Sequence, residues 1–178
     1  GNIVWRYVAP KGWTLHHDMA RLPNGNTLIL VEKNLKAPDI SQKEIAENFI
    51  IEVTPDKEIV WEWYASKHFK EFGYNDEAIK GMEQNGGDIF HHNTLEVLPH
   101  NDLEKTDPRF ARGNILSCQR STGLIYIIDK KTKEVVWTWG TGSDGLVGPH
   151  HPTMLDNGNI LIYDNGGQHP YPRSVRFY

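Results

Sequence analysis

The chain has almost no cysteine: Cys118 is the only one, which excludes an internal disulfide and leaves the redox compartment open. Basic charge is not in excess either. With 19 Lys and Arg against 23 Asp and Glu, a net charge of −4 and no basic run, nucleic acid is not an expected partner. Long hydrophobic runs are missing, since TLILV, GLIYII and NILIY are strand-length and far short of a membrane span. No signal peptide is visible, but the first residues already follow a strand pattern. The chain is therefore read as trimmed at its start, and the missing leader does not bear on compartment. G-x-S-x-G and the P-loop are absent, and so is the H-x3-H spacing of helical zinc sites. Gly86-Gly87 and Gly166-Gly167 read as turn glycines.

Aromatic residues are plentiful, with six Trp and seven Tyr, a composition that suits β architecture. They recur in register. GNIVWRY, KEIVWEW and KEVVWTW form one set of strands, each alternating apolar and polar positions around a Trp. HHDMARLPNGNTLILVE, HHNTLEVLPHN…RGNILSCQR and HHPTMLDNGNILIYD form a second set, each reading as a hairpin, with PNG and DNG as tight-turn signals. NFIIEVTPD, GLIYIIDKK and SVRFY form a third set, which leads back into the Trp strand through a polar turn. One repeat is thus four strands, and four-stranded antiparallel units in series predict an all-β fold, a β-propeller. The expected layout over 1–178 is a lone strand at 1–7, a blade over about 15–64, a second over about 90–139 and an incomplete one over about 149–178.

Three blades are too few to close a good ring. Either this is part of a longer chain, or a homo-oligomer forms in which one chain's first strand completes another's last blade. The first is preferred, because Tyr178 ends the sequence in mid-pattern. Two insertions interrupt the repeat. Lys36 to Glu47 contains SQKEIAEN, which predicts a capped helical turn, and Tyr64 to Met82 has weak helical periodicity. A third excursion, Asn101 to Arg112, predicts a surface hairpin tip.

Six of the nine histidines sit in three doublets, His16-His17, His91-His92 and His150-His151. If the doublet strand is the innermost of each blade, all three pairs converge at one end of the central channel. The structural alternative is that each ring packs or caps a blade entry, and residue type alone does not separate the two. Adjacent strand residues point to opposite faces, so a doublet is useful mainly where the backbone bends. Asp18 and Asn93 follow two of the pairs, and Arg120 breaks the apolar pattern of the partner strand, although an Arg there is ordinarily surface-facing. Doublets supply two ligands to one ion poorly, so no metal is specified. Imidazole beside guanidinium suits transfer of a group with anionic oxygens: the ring attacks or relays protons while Arg binds two oxygens.

HHDMARLPNGNTLILVE, GDIFHHNTLEVLP, TKEVVWTWG and HHPTMLDNGNILIYDNGG together resemble the bacterial arylsulfotransferases, the PAPS-independent aryl sulfate sulfotransferases. The resemblance implies part of a six-bladed propeller that moves a sulfuryl group from an aryl sulfate to a phenol through a sulfohistidine. It also implies no cofactor, small aryl sulfates and phenols as partners, and a periplasmic or secreted setting. Carried over by motif, the F-H-x-N histidine is His91, the strand Arg is Arg120, and the nucleophile falls in the last doublet. His150 stands five residues before Leu155, the interval of His17 before Leu22, and is the first choice. His151 is the alternative, because a bulge at Pro152 could shift the register. The early histidine is His17 or His16, and Asn93, with the doublet partners His92 and His16, is a substrate-binding candidate. Arg120 and Asn93 would hold the sulfuryl oxygens, and His91 or His17 would relay protons. Trp13 and Phe90 are candidates for stacking on the aryl ring, with a core role as the ordinary alternative. A non-catalytic binding propeller is the second functional reading.

Overall fold

Alternating apolar residues bury both faces of the central strands, and that pattern stacks the sheets against one another. The computed structural model describes residues 1–140 and 145–166, together with the backbone of 176–177. β1 (Thr14–Arg21), β2 (Thr27–Lys36), β3 (Glu44–Val53) and β4 (Ile59–Tyr64) form one antiparallel sheet in sequence order. β5 (His92–Val97), β6 (Ile115–Gln119), β7 (Leu124–Ile128) and β8 (Val135–Trp139) form a second in the same order. β9 (Pro149–Met154), β10 (Ile160–Asp164) and β11 (Arg176–Phe177) form a third.

Period two decides which core each residue enters. Leu28 and Leu30 of β2 face Tyr126 and Ile128 of β7 in the core between the first two sheets. Ile125 and Ile127 of β7 point the other way, onto Met154, Ile160 and Ile162 of the third sheet. Ile29, Val31, Phe49 and Ile51 line the outer face of the first sheet, where Trp5, Tyr7 and Trp13 cover them.

The hairpin turns follow the Asn-Gly prediction. Gly25 and Gly158 take φ of +86° and +85°, and the Leu22 and Leu155 amides close their turns on the carbonyls of Asn26 and Asn159. The excursion over 101–112 sits inside the equivalent turn of the second sheet: Leu98 N–H still bonds the Asn114 carbonyl at 2.8 Å. Within it lie two 3₁₀ turns, Asp102–Lys105 and Pro108–Phe110.

Two expectations change. The segment 1–7 is not a strand; residues 1–10 have no regular structure. Alternation specifies which side chains face a core but supplies no ladder partner. The segment still occupies an outer-strand position. Trp5 Nε1 donates to the Pro55 carbonyl at 3.0 Å, just as Trp61 Nε1 donates to the Lys130 carbonyl in the next turn at 3.0 Å. SQKEIAEN is not a helical turn, because β3 begins at Glu44 and pairs with β2 over its whole length, from Lys36↔Glu44 to Thr27↔Val53. The second insertion is helical: a 3₁₀ segment (Ala65–Phe72) precedes α1 (Asp76–Asn85).

The doublet strands β1, β5 and β9 are the first strands of their sheets and lie side by side. Side chains brace them across the gaps. Asp18 Oδ2 accepts from Leu95 N–H at 2.9 Å, Thr94 Oγ1 from His151 N–H at 2.8 Å, and Glu96 Oε1 from Met154 N–H at 3.1 Å.

Candidate active site

Each doublet sits where the backbone leaves strand geometry. Leu15 pairs with Val31 but Met19 with Ile29, so β1 has two extra residues opposite β2. β5 has one extra residue between His92 and Thr94, and β9 one between His150 and Thr153. One member of each doublet takes the left-handed conformation: His17 (φ 53°), His91 (φ 52°) and His151 (φ 48°). Positive φ is uncommon outside glycine and costs on the order of 1–3 kcal/mol, and such residues cluster at functional sites. The bulge splits the doublet, so its two rings enter different surroundings.

His17 meets His91, and His150 and Arg120 lie near enough to act on His17 electrostatically. The His17 and His91 rings meet edge to face, with centroids 5.0 Å apart. Desolvation, then His91 and His150, lower the pKa of His17, and Arg120 adds to the effect. His150 Nδ1 stands 2.9 Å from the Gly148 carbonyl, an acceptor that favours a proton on Nδ1, against the Asn165 amide donor that favours the other tautomer. Asn165 Nδ2 lies 3.1 Å from the same nitrogen. Arg120 is exposed, one residue beyond β6, and its main-chain N–H bonds the His91 carbonyl at 3.0 Å. Its side chain passes Gly148, where an added Cβ would stand 3.8 Å from Arg120 Cγ.

The other candidates are placed differently, and of them His16 touches His17. His92 is wholly buried, beside the Tyr126 hydroxyl at 3.1 Å and stacked on Trp63. Asn93 is buried with both ends engaged: Nδ2 donates to the Pro149 carbonyl at 3.0 Å, and Oδ1 accepts from Thr94 Oγ1 and Cys118 Sγ. It ties β5 to β9. His16 is half-buried against His17, Nδ1 to Nδ1 at 2.8 Å. His151 is exposed and interacts electrostatically with Glu96. Trp13 packs edge-on against Phe49, and Phe90 is fully buried, so neither ring lines the site.

Sequence reasoning missed Asp88. Its Oδ2 is hydrogen-bonded to His91 Nδ1, and its Oδ1 accepts from His91 N–H at 3.0 Å. Gly86-Gly87 place it: Gly86 ends α1 with φ +57°, where a Cβ would stand 2.7 Å from Lys43 Cβ, and Gly87 bridges to Ile45. Glu32, on β2, also interacts with Asp88 and His91. Gly167 lies outside the described residues. Among the described residues, no group of three or more His, Cys, Asp or Glu is disposed to hold a metal ion.

Burial, followed by the neighbouring histidines, holds the pKa of His92 down at about 3, and burial with His17 holds His16 at about 4. An unfolded chain protonates both near their usual value of about 6.5. Below that pH the unfolded state binds more protons, so this contribution to stability is complete above about 6.5 and is lost as pH falls toward 4 and then 3. The Tm should therefore fall between pH 7 and 4. His92→Phe, less stable at pH 7 because Tyr126 loses its partner, should show a shallower fall by circular dichroism.

A family model described as Arylsulfotransferase (ASST) matches residues 1–145. No curated protein matches. Among solved structures, a protein of unknown function from Bacteroides caccae matches with a TM-score of 0.47 and 16% identity, over 98% of this chain and 49% of that one. This chain thus spans about half the length of that protein.

Proposed function

The chain belongs to the arylsulfotransferase family, and from that premise we propose that it moves a sulfuryl group from an aryl sulfate to a phenol through a sulfated histidine. The observation that supports this most is the contact of His17 with His91, with His150 and Arg120 close enough to act on His17 electrostatically. The face-to-face sheets, with doublet strands side by side, support reading them as consecutive β-propeller blades around that site.

In the first half-reaction, His150 Nε2 attacks sulfur in line with the aryl oxygen. The S–O bond breaks, its electron pair stays on that oxygen, and the His17–His91 pair supplies a proton. In the second, an acceptor phenol gives its proton to the same pair and attacks sulfur, and the S–N electron pair returns to His150. No cofactor is required. The transition state is expected to be loose, so positioning and charge dominate, and Arg120 is the group that can fork onto two sulfuryl oxygens.

The test is release of coloured phenolate from 4-nitrophenyl sulfate in the presence of a phenol. Arg120→Ala should lower kcat/KM by about 10²–10³-fold, and Arg120→Lys should recover only part of it, because a point charge lacks the fork. Absence of turnover by the unsubstituted protein across a panel of aryl sulfates would reject the reading.

A further inference from the structure

Of the two rings that could carry the proton, only one is held by a carboxylate. Building on the sulfuryl-transfer reading, we propose that Asp88 is a positioning residue that fixes His91 as the proton carrier, with Nδ1 protonated and Nε2 directed to reaction. Asp88 grips His91 twice, through the ring Nδ1 and through the main-chain N–H at 3.0 Å. A carboxylate only accepts, so the ring proton sits on Nδ1. Nε2 has no hydrogen-bond partner among the described residues. The grip is itself supported, since Ser121 Oγ donates to the Asp88 carbonyl at 3.0 Å and Gly87 N–H bonds the Glu44 carbonyl at 2.8 Å.

His17 lacks this arrangement. Its Nδ1 faces His16 Nδ1, and the surrounding rings and Arg120 disfavour its charged form. The groups facing His91 are Asp88 on its own loop, His16 and His17 on β1, Glu32 on β2 and buried His92. Arg120 is tied to its carbonyl by a main-chain bond. Only Asp88 is hydrogen-bonded to the ring. When a phenol O–H gives its proton to His91 Nε2, the new positive charge is shared with the Asp88 carboxylate, and the phenol oxygen is free to form its bond to sulfur. In the opposite half-reaction the same proton returns to the departing aryl oxygen.

Asp88→Asn isolates the ring contact, because the amide oxygen can still accept from His91 N–H while its NH₂ can only donate toward Nδ1. Donor kcat/KM should fall about 100-fold with phenyl sulfate, whose leaving group needs a proton, and less than about 10-fold with 4-nitrophenyl sulfate. Independently of turnover, ¹⁵N NMR of the histidine rings should show the Nδ1–H tautomer for His91 in the unsubstituted protein and a shift toward Nε2–H in Asp88→Asn. An unchanged tautomer, or equal losses with both donors, would overturn the assignment. If the unsubstituted protein turns over no aryl sulfate, the sulfotransferase reading falls, and the tautomer measurement still decides the role of Asp88.

Discussion

His150→Ala should reduce aryl sulfate turnover by at least about 10⁴-fold, leaving what binding and charge stabilisation alone provide. On the proposed mechanism, alanine removes the ring nitrogen that carries the sulfuryl group between donor and acceptor. His17 is desolvated and shares its Nδ1 contact with His16, while His91 is engaged by Asp88. In the Nδ1–H tautomer that the Gly148 carbonyl favours, His150 Nε2 keeps the lone pair that the proposed nucleophile needs. The neighbouring ring, His151, lies across the bulge and interacts with Glu96, so His151→Ala should keep most of the activity. Mass spectrometry decides the matter. Incubated with donor and no acceptor, the protein should gain one sulfuryl group on the peptide containing the doublet, and His150→Ala should gain none. Fragmentation that puts the label on His151, or a labelled His150→Ala, would remove the assignment.

Much of the sheet architecture was legible in the sequence. Alternation around Trp and the Asn-Gly turns gave the strands and their order, because side-chain facing and turn chemistry are local properties. The doublets marked the bends, but which ring of each pair faces the site depends on the bulge, and the bulges differ. Counting back from the turn leucine, the same interval reaches His17 and His150 in the first and third sheets and buried Asn93 in the second. There the site ring, His91, lies two residues earlier, ahead of β5 and at positive φ. Asp88 escaped notice for a related reason. Repeats draw attention to what recurs, and the positions three residues before His17 and His150 are Thr14 and Val147, so nothing aligned with the carboxylate. The N-terminal strand and the SQKEIAEN turn were misread because pattern and capping signals carry no information about which ladder is available to pair with.

Trp63→Ala should be the most destabilising single change in the first two sheets, costing about 3–5 kcal/mol for the cavity and lost aromatic contacts. Trp63 is only 1% exposed and stands between sheets, stacked on His68, Tyr126 and His92, with Phe72 against its edge. Its Nε1 donates across the interface to the Lys133 carbonyl at 3.0 Å, and removing that donor leaves the acceptor unpaired. For a chain of this size, such a loss corresponds to a drop in Tm of roughly 10 °C or more. Trp63→Phe keeps the ring packing and loses the indole donor, so it should cost only about 1–2 kcal/mol. The consequence reaches the site through His92, which rests on Trp63 and is joined in sequence to His91. A loosened floor beneath β5 should let the His91 ring drift from His17, so Trp63→Ala should lose turnover at temperatures well below its own melting point. Activity and circular dichroism followed together on one temperature ramp check this. If activity and fold are lost at the same temperature in the variant, Trp63 secures the core alone and the coupling to the site does not exist.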